Sequence, residues 1–578
     1  MCKRHFSTLL TIFMSLAFLI TTPVSAGPSK AQLDKIAGKL KSLPAQHQRL
    51  LSSAQRRLLQ FDEALNASHS KLGVDGDIFT IPKFAPAARM AALAPAGVVP
   101  GPGLGGTTAV SDPRLDYIGA VTAGFTQSET SSARCGNNVV AGYNDSGAFA
   151  RTAGVSFADA WSFSSASYSH DGGRTFTDIA FMNPGTNQAN FIVGDPVLAC
   201  TSPTRFYYAS IFASGQDAAG NFFNGVAINT SSDGGETWGE PVAAVMRSFD
   251  HGIDKPWLAV DPNNPRRLYV TYTDFDSSGF SGDPAAGCPN DFRIAVELVY
   301  SRDAGRSWSA PIVIRQECYF SGGFNSVQGS NVVVGQNGTV YVAYEYYPAA
   351  VPNNEIHLVR SGEVEDGPPV FRAAVKVADV WPNGNFGSLQ GGFRNNEFPQ
   401  LAIDRSSGPG RGNLYLAWSD ASANIVPNLS KFFGDYAYPD VVVTRSSNGG
   451  RSFTVPARVS PPPASFTGKG RDQFFPGIAV DNRGVVGVCY YDRRQNPSND
   501  VIDRYCSTSA NRGASWSEQR VSTANWVPTH AADDLINSSY IGDYDALSSD
   551  FLLQNAGFFS SFEVQNNGNP DVVGASFR

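Results

Sequence analysis

The sequence is poor in charge. Lys, Arg, Asp and Glu make up 16% of its 578 residues, against about 25% in an average soluble protein. No basic excess is left to displace phosphate counterions, since 44 Lys+Arg face 51 Asp+Glu and the formal net charge is −7. That argues against nucleic acid as a partner. Seven histidines show no HExxH pattern and seven cysteines no CxxC pair, so metalloprotease and zinc-ribbon chemistry find no anchor. A Gly-x-Ser-x-Gly elbow for Ser-His-Asp hydrolysis is also missing. After the first apolar run, which ends near Ile20, no segment approaches the roughly 20 residues of a membrane span. What is plentiful is 57 Gly, 36 Pro and 12% aromatics. Such a composition belongs to a sheet- and loop-rich protein and excludes coiled coils and disordered tails.

The start has the order of a secretory signal peptide. Lys3, Arg4 and His5 precede the apolar run Leu9–Ile20, and Val24-Ser25-Ala26 offers small residues for cleavage. Residues 1–26 are therefore expected to be removed, leaving a secreted or periplasmic chain with no membrane span. Cleavage takes Cys2 and leaves six cysteines, an even number that favours disulfides in an exported protein. Cys489 and Cys506 flank a strand–loop–strand stretch, and Cys288 and Cys318 lie in neighbouring loops of one repeat. Cys135 and Cys200 then remain, by elimination only.

Residues 27–82 are expected to be mostly helical, with Leu33, Ile36, Leu40, Leu43, Leu50 and Leu58 near helical spacing and a break at Pro44. Residues 83–112 are dense in Ala, Pro and Gly and read as a linker. From residue 113 to 578 the chain consists of short strands and turns that repeat.

The repeat is an octad, Ser-x-Asp/Asn-x-Gly-x-Thr/Ser-aromatic. It begins at Ser169, Ser231, Ser301, Ser446 and Ser509, at intervals of 62, 70, 145 and 63 residues. The double interval marks a decayed copy, placed at Ser361–Phe371. Physically the octad is a hairpin turn. The Asp or Asn accepts bonds from turn amides, Gly supplies positive φ, and the aromatic opens the next strand. A period of this size means a propeller or a solenoid. The octad resembles the Asp-box, or BNR repeat, of the sialidase superfamily, which implies an all-β fold, a β-propeller. In that superfamily the box is structural and lies away from the active face.

A second element counts the blades. Asp254–Asp261, Glu397–Asp404 and Phe475–Asp481 are apolar inner strands, with looser versions at Glu129, Asp195, Gln328 and Asp543. Seven inner strands give seven blades, with the six of true sialidases as the alternative. At roughly 67 residues per blade the repeat exceeds the about 40–45 of compact propellers. The last unit is one strand short, and residues 115–124 are expected to complete it and close the ring.

Candidate chemistry gathers where strands begin. Glu129, Asp195, Asp254, Glu397, Asp472 and Asp543 precede successive inner strands, and Asp145, Asp274, Glu345, Asp420 and Asp492 end second strands. Such a crown either recruits a cation such as Ca²⁺ or caps turns locally. The sialidase resemblance implies three arginines on the substrate carboxylate and a Tyr nucleophile helped by Glu. The family's Arg-Ile/Leu-Pro motif is missing. Arg394, Arg471 and Arg493 are the substitutes for the clamp, Tyr540 and Tyr544 for the nucleophile, and Asp254 and Glu397 for the carboxylates. His251 is within reach of the funnel. The expectation is an exported propeller that binds extracellular glycan or protein on an acidic funnel, the alternative being a sialidase-like exo-glycosidase.

Overall fold

The computed structural model describes residues 106–578 and the two-residue strand Val99–Pro100, apart from short internal stretches of which 382–388, 427–435, 461–470 and 529–540 are the longest. Residues 1–26, the expected helical segment 27–82 and Tyr540 lie outside the described residues.

Seven sheets of four or five strands are arranged as the blades of a propeller. Their inner strands are Gln127–Cys135, Phe191–Cys200, His251–Asp261, Ser326–Val334, Gln400–Ile403, Gln473–Val480 and Leu547–Ser549. Each blade runs outward as an antiparallel meander, so inner strands begin on one face, here called the funnel face, and the octads turn on the other. Between blades the sheets bury their alternating apolar residues face to face. Ile294, Val296 and Leu298 of blade 3 pack with Val327, Val332, Val340 and Val342 of blade 4. This sheet-on-sheet burial gives seven thin cores instead of one, and each blade depends on its neighbours.

The ring closes at a place other than the one the sequence suggested. The outer strand of blade 7 is Thr108–Ala109, paired with Asn569–Phe577. Residues 115–124 instead carry a separate hairpin, Tyr117–Ile118 with Val121–Thr122. The reason lies next to the strand: Val110 is buried with Phe176, Phe559 and Val572, and its amide donates to Val572 O. A single apolar anchor in a Gly-rich stretch leaves no periodicity to read. Val99–Pro100, also inside the stretch read as linker, adds an outermost strand to blade 1 by pairing with Phe176 and Thr175.

All five octads share one wiring. Ser169 Oγ accepts from Gly173 N at 2.9 Å, and Asp171 Oδ1 accepts from Thr175 N at 3.0 Å. The same pair of bonds recurs at Ser231/Asp233, Ser301/Asp303, Ser446/Asn448 and Ser509/Asn511. The glycines adopt φ of 75–100°, which a Cβ would oppose. In blade 4 the turn is replaced by a bridge between Ser361 and Phe371, at the site of the decayed copy.

Three disulfides form: Cys135–Cys200, Cys288–Cys318 and Cys489–Cys506, with Cα separations of 6.2, 5.4 and 4.0 Å. The first staples the inner strands of blades 1 and 2, the second holds the funnel-side loops of blade 3, and the third crosslinks paired strands of blade 6.

Candidate functional site at the funnel

Five inner strands carry the same kink. Their register slips by one residue between Ser128 and Ser131, Gly194 and Val197, Asp254 and Trp257, Gln328 and Asn331, and Phe474 and Gly477. Within each bulge one residue is left-handed: Glu129 at φ 52°, Asp195 at 56°, Lys255 at 50°, Gly329 at 68° and Phe475 at 48°. A non-glycine residue there costs on the order of 1–3 kcal/mol and persists only where its surroundings fix it. This common landmark sets the true correspondence between blades. Lys255, not Asp254, stands where Glu129 and Asp195 stand. Apolar matching of the strands could not place a bulge, and it put the crown one residue out of step in blades 3 and 4, at Asp254 and Gln328, and three residues out in blade 6, at Asp472.

Lys255 is the hub of the funnel floor. Its ammonium lies 3.2 Å from Glu129 Oε1, 3.0 Å from Asp195 Oδ2 and 2.6 Å from Asp543 Oδ2. It is 4% exposed. Burial opposes its charge, but Asp195, Asp543, Glu129 and Asp254 outweigh burial and hold it well above the usual lysine range. Asn144 ties blade 1 to the hub and to blade 2, donating to Glu129 Oε2 at 2.7 Å and accepting from Asp195 N at 2.9 Å. Arg394 completes the group by a two-pronged pair with Asp543, with its Nε at 2.6 Å from Oδ1. Three carboxylates thus meet two cations. An ammonium already holds the position where the crown would seat Ca²⁺, which requires six to eight oxygens at about 2.3–2.6 Å.

The remaining sequence candidates have local partners. Asp254 accepts from Lys255 N and Gln328 Nε2, both at 2.9 Å. Glu397 is buried. Tyr544 is buried, and its hydroxyl donates to Pro196 O at 3.3 Å. Its ring lies edge-on to Trp257, with Lys255 Nζ 5.5 Å from its centre. Arg493 is fully buried and donates to Asp472 Oδ2 and Asn499 O. Arg471 donates to Ser460 Oγ at 3.1 Å and lies 3.9 Å from Asp492. Arg394 therefore serves blade 7, whereas Arg471 and Arg493 serve the carboxylates of blade 6. The structure brings Glu129, Asp195, Asp543 and Arg394 together around Lys255, and holds Asp472, Arg471 and Arg493 around the strand ends of blade 6.

On the funnel side of blade 3, His251, Asp274 and Asp276 have ligand atoms within 4.8 Å of one another, close enough for a metal ion. His251 Nδ1 lies 2.9 Å from Asp274 Oδ1, and Arg293 Nη1 is 3.2 Å from Asp274 Oδ2. Burial works against the imidazolium, but Asp274 and Asp276 raise its pKa overall. The Arg293 guanidinium also lies 3.9 Å from Asp276 Oδ2.

Sequence reading missed three groups here. Lys255 was read as part of a strand motif. Arg504, Asp545 and Glu563 form a buried set, with Arg504 Nη1 3.7 Å from Asp545 and its guanidinium over the Tyr491 ring. Burial, only partly offset by Arg504, pushes Asp545 up to about 6. The third group is an aromatic loop at the rim, between blades 3 and 4. Tyr319 meets Phe320 and Phe324 edge-on at 5.2 and 5.4 Å. Asp291 fixes the loop by accepting from Phe320 N and Ser321 N, and Cys288–Cys318 anchors its base. Phe324 is 49% exposed. Its signal in the sequence was the run Cys318-Tyr319-Phe320 followed by Gly322-Gly323-Phe324.

No family model matches the chain, and no curated protein matches it. Among solved structures, the α-L-arabinofuranosidase Arb93A from Fusarium graminearum in complex with an iminosugar inhibitor is similar at 11% identity, covering 82% of this chain and 97% of that one, with a TM-score of 0.41. The intramolecular trans-sialidase from Ruminococcus gnavus in complex with oseltamivir carboxylate is similar at 12% identity, covering 66% and 94%, with a TM-score of 0.38. The Hadza microbial sialidase Hz136 is similar at 12% identity, covering 68% and 66%, with a TM-score of 0.37. The blades themselves establish the architecture: the chain is a seven-bladed β-propeller.

Proposed function

We propose that this is an exported carbohydrate-binding propeller, which holds an extracellular glycan or glycoprotein at the rim of its funnel and does not hydrolyse it. The observation that carries the reading is the exposed ring of Phe324, backed edge-on by the buried Tyr319 and the half-buried Phe320. An aromatic face offered to solvent, on a loop held by a disulfide and an aspartate, stacks on the apolar face of a sugar ring without first having to be ordered. The funnel floor supports the same reading from the other side. The carboxylates of Glu129, Asp195 and Asp543 are paired and buried, and the Tyr544 hydroxyl is directed at a backbone carbonyl. A tyrosine nucleophile needs a carboxylate base beside its hydroxyl. Asp254 and Glu397, read as the catalytic carboxylates, are buried as well, so ligand contact passes to the rim.

The test pairs binding with turnover. Neutral oligosaccharides titrated into the full chain should bind, and Phe324→Ala should weaken binding by about tenfold, the loss of one stacked ring. A fluorogenic sialoside should not be turned over. Turnover that disappears in Arg394→Ala or Tyr544→Phe would overturn the reading in favour of a sialidase-like exo-glycosidase. Binding indifferent to Phe324 would remove that ring from the account.

A further inference from the structure

The face opposite the funnel carries a cavity that neither the funnel nor its rim explains. It has a volume of about 390 Å³ and lies in the seam between blades 2 and 3, within the size range of small-molecule sites. Its lining includes the buried Tyr207 together with Gly305, Val242 and Pro265. Arg205 of blade 2 and Arg306 of blade 3 line it from opposite blades, together with Thr201 and Thr230.

The preceding seam shows what is unusual about this one. Between blades 1 and 2 the same place is spanned by a histidine–carboxylate hydrogen bond. His170, second residue of the blade 1 octad, bonds Glu236, sixth residue of the blade 2 octad, at 2.9 Å. Its other ring nitrogen meets Asn138 at 3.1 Å. One seam further on, the second position is Ser232 and the sixth is Arg306. The pair is lost and its acidic member is replaced by a cation.

Arg306 also differs from the other octad arginines at the sixth position. Arg174 and Arg451 fold back, each donating from Nη1 to a carbonyl of its own turn, at 3.4 and 2.9 Å. Among the described residues, the guanidinium groups of Arg306 and Arg205 donate no hydrogen bond and enter no ion pair. The two charges flank Tyr207. Burial raises the pKa of that phenol, and Thr201, Arg205 and Arg306 partly offset the rise. In a chain of net charge −7, two unpaired guanidinium groups at one cavity are a local inversion of sign.

We propose that this cavity binds an acidic sugar. The two guanidinium groups take its carboxylate, since arginine forks match the geometry of a planar anion. The Thr201 and Thr230 hydroxyls take ring hydroxyls, and Val242 and Pro265 cover the apolar side of the ring. The site is separate from the funnel rim, so one propeller would engage a neutral glycan on one face and an acidic one on the other.

The experiment is ligand-observed NMR and calorimetric titration of the full chain with glucuronate, galacturonate and N-acetylneuraminate, with galactose and inorganic sulfate as controls. At least one acidic sugar should saturate, and galactose should bind at least about tenfold more weakly. Arg205→Ala with Arg306→Ala should abolish saturation without lowering the melting temperature. Ser232→His with Arg306→Glu, which writes the histidine–carboxylate bond of the first seam into the second, should close the site and also abolish it. Phe324→Ala should leave this binding intact, which separates the proposal from the rim reading. Absence of saturation with every acidic sugar, equal binding of galactose, sulfate binding as tight as the best sugar, or binding that survives both double variants would each overturn the proposal.

Discussion

Replacing Lys255 with methionine tests whether the funnel floor is a structural lock. The substitution keeps the length of the side chain and removes only the ammonium that Glu129, Asp195 and Asp543 share at 2.6–3.2 Å. Arg394 remains to neutralise Asp543, but Glu129 and Asp195 are left buried beside it. Removing one partner of a buried ion pair costs about 3–5 kcal/mol. For a cooperative propeller of roughly 470 residues the unfolding entropy is near 1 kcal/mol per degree, so this corresponds to a drop of about 3–5 °C in melting temperature. The pH dependence distinguishes a lost charge from lost packing. The wild-type lysine pKa is raised, so its contribution is fully present below the unfolded lysine pKa of 10.5 and disappears only as pH climbs through the still higher folded value. Between pH 5 and 8 the wild-type hub is therefore flat. In Lys255→Met the orphaned carboxylates take up protons as pH falls, and the deficit should shrink by at least half between pH 8 and pH 5. Thermal unfolding of both proteins across that range decides it. A deficit equal at pH 5 and pH 8, or none at pH 8, would refute the ionic lock.

Three further outcomes follow from the same structure. Burial lifts Glu345 to about 7 despite bonds from Tyr347 and Asn354, so the folded state holds a proton that the unfolded chain has lost. Stability then falls as pH rises from about 4.5 to 7, by about 3 kcal/mol in full, and Glu345→Gln should gain more over wild type in denaturant melts at pH 8 than at pH 5. Asp303 accepts from Arg306 N, Ser307 N and Ser307 Oγ, and Asn fills the same position in two other octads. Asp303→Ala should therefore cost about 1–2 kcal/mol and Asp303→Asn under about 0.5, read by chemical unfolding. Burial is the largest influence on Asp303, but the turn bonds outweigh it and hold it at about 2, so its contribution is intact above pH 4 and fades as pH falls through 2. Cys135→Ala with Cys200→Ala opens a crosslink spanning 65 residues between blades 1 and 2, for an expected loss of about 4 kcal/mol in the chain-entropy account.

The architecture was legible because its signals are local and repeated. Each octad needs a hydroxyl, an amide acceptor and a glycine at fixed offsets, and those chemical demands cannot drift without breaking the turn. Three inner strands were plain because a strand between two packed sheets leaves an apolar run, as at residues 257–260, 401–403 and 478–480; the others, such as Gln127–Cys135, were matched only loosely by spacing. The closing strand was not legible. Thr108–Ala109 is two residues long, and what holds it is the distant edge at Val572–Gly574, which leaves no mark on its own sequence.

The crown was readable as a set of carboxylates but not as a network, and the bulge is the reason. A strand pattern assigns residues to faces by counting in twos, whereas a left-handed bulge residue inserts one extra step and shifts everything before it. In blade 3 that step carries Asp254 away from the crown position and puts Lys255 there. One misplaced residue changes the reading of the centre: six acids in a ring would attract a cation, while Glu129, Asp195 and Asp543 already share Lys255 and Arg394. The same logic applied to the octads has the opposite outcome, because their positions are fixed by wiring and admit no slip. Glu236 and Arg306 can therefore be compared as true equivalents, and the reversal of charge between them is a property of the seams and not of the alignment. Recognition in this propeller should accordingly be sought where charge is left over, at the Arg205–Arg306 seam, or where an aromatic is left uncovered, at Phe324, and not at the balanced centre of the funnel.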